Sequence, residues 1–299
     1  MKVIVTGGVG FVGTNLIKRL LKDGNEVVSL DNYSTGKKEN EQDGCKYIDV
    51  DISDSLRRHK GFGLEQYKLE KPDLIFHLGA LARIQPSLKK PASTITNNFM
   101  GTLNVLDYAR ENNIPVVYAG SSTFHHGLWG SPYAWSKHSG EQLCKLYSTI
   151  YGLPTAICRF YNVYGEHQLE DGAYATVVGI FQKLYREEKP LTVTGDGEQR
   201  RDFTHIEDIV DALIRLGWML ESNRSSKVSG QTFELGRGKN FSINELTEMF
   251  GETDVEYIPA RDGEYDYTLA DSSKAKELLG WNPTLDISDY ISEVIDDKS

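Results

Sequence analysis

The stretch that most narrows what this chain can fold into is its opening, KVIVTGGVGFVGTNLIKRLL, residues 2–21. A short β-branched run reads as a buried strand and the glycines as a turn. The apolar residues that follow at three- and four-residue spacing read as a helix. Gly8, Gly10 and Gly13 satisfy G-x-G-x-x-G, while Gly7, Gly10 and Gly13 satisfy a spacing of three and three. In either register the physics is the same. A turn without Cβ atoms lets the backbone approach a pyrophosphate, which sits on the N-terminus of the helix. Asp31 ends the next apolar run, 18 residues after Gly13, close to the spacing that brings a carboxylate to an adenosine ribose hydroxyl. A carboxylate there repels a 2′-phosphate, so the pattern predicts NAD rather than NADP.

The alternation continues. EVVSLDN, DLIFHLGA, PVVYAGSS and PTAICRFYNV read as further buried strands, with the helical patterns GTNLIKRLLKDG and NNFMGTLNVLDYARENN between. Strand–helix alternation predicts an α/β fold, a Rossmann-type doubly wound parallel sheet with right-handed crossovers. Beyond residue 163 the alternation loosens. The expected division is a dinucleotide-binding part over 1–163, with 195–221 and part of 231–240 returning to it. A smaller C-terminal α+β substrate-binding portion takes 164–194 and 222–299.

Bulk properties exclude several classes. The net charge is −10 and no basic stripe stands out, which argues against nucleic acid as a partner. No run approaches the roughly 18–20 apolar residues that cross a bilayer, and the N-terminus lacks a signal-peptide core. A soluble, cytoplasmic protein is expected. Cys45, Cys144 and Cys158 are odd in number and form no C-x-x-C, so neither a disulfide framework nor a zinc site is expected. His125 and His126 lack a third ligand at a suitable spacing.

The stretch SSTFHHGLWGSPYAWSK, Ser121 to Lys137, carries the candidate chemistry. Tyr133 and Lys137 stand at i and i+4 and share one face of a helix. Alone the pair is weak. Beside a dinucleotide turn, Tyr133 reads as a general acid and base whose ordinary pKa of about 10 must be brought toward the working pH.

The ordered set TGGVGFVG, DNYSTGKKEN, DVDISD, HLGA, SS and Y-x-x-x-K resembles the extended short-chain dehydrogenase/reductase family, over residue 1 to about 285. Within it the chain is most similar to the nucleotide-sugar epimerase branch of the UDP-glucose 4-epimerase type. The resemblance implies that Phe11 and Val12 lie beside the pyrophosphate. Asp31, Asn32, Ser34, Thr35 and Gly36 would line the adenosine end, and Asp51 and Ile52 would flank the adenine. Leu78, Gly79 and Ala80 would form the cofactor's floor, with Asn98, Ser121 and Tyr161 also on its side and Tyr161 near the nicotinamide. Tyr133, Lys137 and Ser122 are the implied catalytic set, with Lys137 on the nicotinamide ribose and Ser122 on the reacting hydroxyl. Ser122 is chosen by counting back five from Gly127, with Thr123 in reserve.

For the substrate, the resemblance implies Arg201, Arg261 and Asn162 at a nucleotide diphosphate. Asp202 and His205 would support Arg201, while Asp271 and Trp281 would belong to the smaller portion. Arg83, just past HLGA, would meet a sugar carboxylate or phosphate. The implied reaction is transient oxidation at C4 of a nucleotide-diphosphate sugar by bound NAD. Thr123 and Phe124 follow Ser122 where dehydratases and decarboxylases of this kind carry acids. A reductase, 2-epimerase or dehydratase is the alternative, and a non-catalytic dinucleotide sensor the rival class. Two departures bear on substrate identity: His125–His126 replace the usual Val-Tyr, and Ser122 to Tyr133 is only 11 positions. The segment Glu166–Val178 would line the sugar and base pocket. Helices over 98–112 and 133–151 would pair across a two-fold into a homodimer.

Overall fold

The computed structural model describes residues 1–54, 70–222, 225–261, 263 and 265–297, without the side chains of His126 and Ser225. Its centre is a parallel sheet of seven described strands in the order β11-β6-β5-β4-β1-β2-β3. These are β1 Lys2–Thr6, β2 Glu26–Asp31, β3 Cys45–Asp49, β4 Leu74–His77, β5 Val116–Ser121, β6 Thr155–Phe160 and β11 Gln231–Leu235. The order reverses between β1 and β4. There the crossovers part to opposite faces and leave a crevice at the strand C-termini, where doubly wound sheets bind ligands.

Two apolar layers hold the sheet. On one face, Leu16, Ile17 and Leu20 of α1 (Phe11–Lys22) and Ile209, Leu213 and Leu216 of α7 (Ile206–Glu221) pack on Val3, Val5 and Phe76. On the other, Val105, Leu106 and Ala109 of α4 (Gly101–Asn112) and Cys144 and Tyr147 of α5 (Pro132–Tyr151) pack on Ile4, Ile75, Val116 and Ile157. Sequence sets the ends of α5. The Ser131 hydroxyl accepts from Ala134 N at 3.1 Å, Pro132 stands at the first helical position, and Gly152 closes the helix at φ +68°. Those caps place Tyr133 in the first turn, above the C-terminal ends of β4 and β5.

A third core belongs to a smaller unit. Tyr164, Val178, Phe181, Leu191, Phe203, Ile243, Phe250 and Ile291 fill it. Three two-stranded pieces frame it: β7 (Val163–Tyr164) with β10 (Thr204–His205), β8 (Leu191–Thr194) with β13 (Val255–Ile258), and β9 (Arg200–Asp202) with β12 (Asn240–Ser242). The interleaving is finer than the sequence division. Phe203 lies in a segment expected to return to the large sheet, yet it packs in the small core. Trp281, expected in the smaller portion, is 1% exposed in the large core, where its Nε1 donates to Asp208 O at 2.8 Å.

Candidate active site

At the β1–α1 turn the backbone does the shaping. Gly7 has φ +73°, and a Cβ there would stand 2.8 Å from Gly79 Cα. A Cβ on Gly13 would stand 2.1 Å from Gly7 O, so these two glycines are demanded by packing. Gly10 differs: an added Cβ would meet only Gly7 O, at 3.3 Å, and open space otherwise. Gly10 is also the N-cap of α1, with no side-chain cap and no acidic residue in the first turn. A helix N-terminus left with unsatisfied N–H groups and no Cβ in front of it fits a pyrophosphate. Asp31, 9% exposed at the end of β2, accepts from Val9 N at 3.1 Å and Tyr33 N at 2.8 Å. Burial raises its pKa against those two bonds. A carboxylate has about four acceptor sites, so Asp31 ties down the glycine turn with capacity left for a ribose.

The other cofactor-side residues divide into wall and scaffold. Asn32 Oδ1 accepts from Ser34 N at 3.1 Å, Thr35 is half-buried, and Gly36 lies against Val9. Phe11, Val12, Leu78, Gly79 and Ala80 are half-buried at the strand ends. Asp51 Oδ1 accepts from Ser53 N at 2.8 Å. Ile52, 6% exposed, packs under Gly79 and Gly101. Asn98 is 2% exposed and already engaged: Oδ1 accepts from Leu81 N at 2.8 Å, and Nδ2 donates to Ser136 Oγ at 2.9 Å. It lies in a π-helical turn, Thr96–Met100, a local distortion that often marks functional sites. Its contacts tie the β4 loop to α5.

Two placements differ from the sequence reading. The hydroxyl at Tyr133 is that of Ser121: Tyr133 Oη donates to Ser121 Oγ at 3.4 Å, and Thr123 Oγ1 donates to the same atom at 3.0 Å. Ser122 is half-buried and stands outside this cluster, because the chain leaves β5 after Ser121 for a 3₁₀ turn, Ser122–His126. Tyr161, expected at the nicotinamide, is 1% exposed and donates its hydroxyl to Glu234 Oε2 at 2.8 Å. Its neighbour Phe160 is half-buried and pairs in register with Ser121. Side chains alternate across a strand, and the one-residue difference puts Phe160, not Tyr161, on the side of Ser121.

The electrostatics of the centre come from burial. Lys137 is 5% exposed, its Nζ 4.5 Å from the Tyr118 ring centroid. Burial brings its pKa down to about 8, opposed by the charge of Glu141. Burial raises the Tyr133 phenol, while the Ser121 hydrogen bond and the Arg83 charge pull it back. Beneath them His77 pairs Nδ1 with Thr6 Oγ1 at 2.7 Å and Nε2 with Thr102 Oγ1 at 3.0 Å. Burial and the Lys137 charge bring its pKa down to about 3. Neither His77 nor the Glu141–Arg159 pair beside Lys137 stood out from the sequence, although Glu141 follows Lys137 at i+4.

The expected substrate residues are spread over several elements. Arg83 donates from Nε to Tyr174 O at 3.1 Å. Asn162, at φ +25°, donates from Nδ2 to Asp202 O at 3.0 Å and Thr268 Oγ1 at 3.1 Å. Arg201 donates to Arg200 O at 3.0 Å, and Arg261 is exposed. Asp202 does not serve Arg201 in these contacts; it accepts from Arg237 N, Gly238 N and Ala270 N. His205 caps α7 by accepting from Glu207 N at 3.2 Å. The segment Glu166–Val178 closes on α1, where Asn15 Nδ2 donates to Glu166 O at 2.8 Å and Lys18 pairs with the Glu166 carboxylate at 2.9 Å. Among the described residues there is no His/Cys/Asp/Glu cluster of metal-site geometry.

Comparison with known proteins gives the family. Residues 3–236 match the model of the NAD dependent epimerase/dehydratase family. A UDP-glucose 4-epimerase of Mycolicibacterium smegmatis is 31% identical, over 99% of this chain and 98% of that one. A UDP-glucuronate 4-epimerase of Thermodesulfobacterium geofontis is 31% identical, over 98% and 94%. The structure of a Thermotoga maritima UDP-glucose 4-epimerase with UDP-glucose superposes with a TM-score of 0.89 at 27% identity, covering 99% of this chain and 98% of that one. A Rossmann sheet with an open glycine turn at its switch point, a Tyr–Lys pair above it and a family match across most of the chain lead to one conclusion: the chain belongs to the NAD-dependent epimerase/dehydratase family.

Proposed function

We propose that the protein is a nucleotide-sugar 4-epimerase, acting on a UDP-hexose through transient oxidation at C4. The observation that carries the reading is the meeting of Tyr133 with Ser121 and Thr123, one helical turn before buried Lys137. NAD, when bound, supplies a hydride acceptor and donor. The chain's own residues move the proton. Tyr133 takes it from the sugar hydroxyl and returns it, and the positive charges of Lys137 and Arg83 favour the phenolate. Ser121 and Thr123 orient the reacting hydroxyl in place of Ser122. The uncapped turn at Gly10–Gly13 holds the pyrophosphate, and Asp31 the adenosine ribose. Arg201, Arg261 and Asn162 hold the substrate diphosphate, and Arg83 the sugar. Simple oxidation and return is favoured over dehydration because two carboxylates beside the loop, Glu141 and Glu234, are engaged by Arg159, His125 and Tyr161.

The enzyme acts as a cytoplasmic homodimer in this reading. Support comes from α5, where Leu146 and Ile150 are 49% and 63% exposed beside Phe99 and Leu143 along a groove of about 560 Å³. Sedimentation at micromolar concentration checks the dimer, and a monomer there rejects it. Proton NMR of the purified protein with UDP-galactose and no added cofactor tests the activity. Anomeric signals of UDP-glucose are expected, and a silent spectrum would reject the UDP-hexose assignment.

A further inference from the structure

Directly beyond the Tyr–Lys pair lies a buried ionic cluster that the proposed reaction does not use. Arg159, on β6, grips Glu141 of α5 with two parallel bonds from one edge of its guanidinium: Nε to Oε1 at 3.0 Å and Nη2 to Oε2 at 2.7 Å. The Glu141 side chain is 1% exposed and that of Arg159 7%. Room is made for them by Gly120, where a Cβ would stand 2.8 Å from Glu141 Oε1 and 3.3 Å from Arg159 Cγ. The third guanidinium nitrogen, Nη1, faces Glu234 Oε1 at 3.6 Å, and the same carboxylate bonds His125 and Tyr161. Over the Arg159 guanidinium lies the ring of Phe124, with Arg159 Cζ 3.4 Å from its centroid and the His138 ring 5.2 Å away.

A buried ion pair is a poor way to gain stability, since apolar packing of the same volume does as well or better. What a bidentate pair supplies is fixed geometry. The position of this one matters. Glu141 stands at i+4 from Lys137 on the same helix face, and Phe124 belongs to the 3₁₀ turn that also carries Thr123, which meets Ser121 and through it Tyr133. The connector from Ser122 to Tyr133 is short, so little of its own length is left to hold the turn. Stacking of Phe124 on a guanidinium that is itself locked to α5 holds it instead.

We propose that Glu141, Arg159 and Phe124 form a positioning clasp, which fixes Lys137 on α5 and the Ser121–Thr123 hydroxyls on the facing turn in one register. The clasp rests on the assignment of Tyr133 and Lys137 to the reaction. Wild type and Tyr133→Phe are therefore read first: a Tyr133→Phe as active as wild type rejects that assignment, whereas an inactive Tyr133→Phe beside unaffected clasp variants rejects the clasp.

Phe124→Leu keeps apolar volume and removes the ring, and Phe124→Tyr keeps the ring. The expected result is a fall of about tenfold in kcat for Phe124→Leu, with KM and retained NAD unchanged, and recovery in Phe124→Tyr. Equal kcat in Phe124→Leu and wild type overturns the proposal. So does a loss in Phe124→Leu that Phe124→Tyr does not recover.

A second readout is the pH profile. Lys137 faces Glu141 and Cys144 on its own helix, and His77 and Tyr118 from β4 and β5. Glu141 is the main group holding its ammonium up against burial. Glu141→Gln, paired with Arg159→Met so that no buried charge is orphaned, should move the basic limb of the kcat profile to lower pH by about one unit. A basic limb unmoved in that folded double variant also overturns the proposal.

Discussion

The two sides of the cleft are built by different means. On the β1–α1 side the proposed binding groups are main-chain N–H groups, and their positions follow from Gly7 and Gly13, which tolerate no Cβ. On the β5–α5 side and across the smaller unit the functional groups are side chains, brought together from a strand end, a 3₁₀ turn, a helix and loops far apart in sequence. The first kind is rigid and tolerates little change in shape; the second is set by pairwise contacts and can be altered one group at a time. Substitutions on the two sides should therefore fail in different ways.

The largest effect belongs to the side-chain side. Tyr133→Phe keeps the ring and loses the proton carrier, so kcat should fall about 10³-fold, within the range of general acid–base catalysis. NAD content after denaturation should stay that of the wild type, because the turn at Gly10–Gly13 is untouched. Retained turnover in Tyr133→Phe would remove this residue from the chemistry and collapse the distinction between the two sides.

Next comes the backbone side, where two glycines in one turn should part company. Gly13→Ala drives a methyl to 2.1 Å from Gly7 O. An overpacked site of this kind costs about 3 kcal/mol, a fall in Tm of roughly 5 °C for a chain of this size. Gly10→Ala places its methyl 3.3 Å from the same oxygen and otherwise in open space. Its Tm should stay near wild type while bound NAD is lost. Thermal melts and cofactor content of both proteins check this, and equal melting losses would show that Gly10 too is held by packing.

The same difference explains what could be read from sequence. A glycine turn is a local pattern, so Gly7, Gly10, Gly13 and Asp31 were visible from spacing alone. The five main strands were visible as well, because buried parallel strands are continuous apolar runs. Side-chain meetings are not local. Ser122 was favoured over Ser121 by counting from Gly127, but where β5 gives way to a 3₁₀ turn decides which hydroxyl reaches Tyr133. Tyr161 and Phe160 differ by one position, and strand alternation puts that difference on opposite sides of a sheet. Trp281 sits in a polar C-terminal stretch, and nothing nearby tells that its indole ends in the large core against Asp208. The Glu141–Arg159 pair joins residues 18 apart in sequence, and only the helix half of that contact has a spacing to read.

His77 lies under both sides and gives a smaller effect with a definite sign. Thr102 donates its hydroxyl to Asn98 O at 2.7 Å, so His77 Nε2 must be the donor to Thr102, which leaves Nδ1 to accept from Thr6. That arrangement requires a neutral ring. With the folded pKa near 3 and an unfolded value of about 6.5, the unfolded chain binds the extra proton between those limits. Stability from this group is therefore complete above pH 6.5 and is lost as pH falls toward 3, by about 2 kcal/mol at pH 5. His77→Gln can donate to Thr102 and accept from Thr6 without titrating. Urea unfolding of both proteins from pH 7 to 5 should show the wild type losing ground to the variant. Parallel curves would mean that His77 is solvated or charged in the folded state.

The smallest effect sharpens the comparison most, because it concerns the side chain proposed to meet the sugar. Arg83 has one hydrogen bond, from Nε to Tyr174 O, and no carboxylate partner among the described residues. Burial pulls its pKa below the ordinary arginine value, and its close neighbours are the Tyr133 and Tyr174 phenols. A guanidinium so placed gains from an anion that arrives with the substrate. A hexuronate carboxylate supplies one; a neutral hexose does not. Arg83→Met should lower kcat/KM for a nucleotide hexuronate about tenfold relative to the neutral hexose, the fold-change of one charge-assisted hydrogen bond of roughly 1.5 kcal/mol. If both substrates fall together, the charge of Arg83 serves the Tyr133 phenolate and the sugar is read elsewhere. If neither falls, Arg83 only braces the Tyr174 carbonyl, and substrate choice passes to the smaller unit.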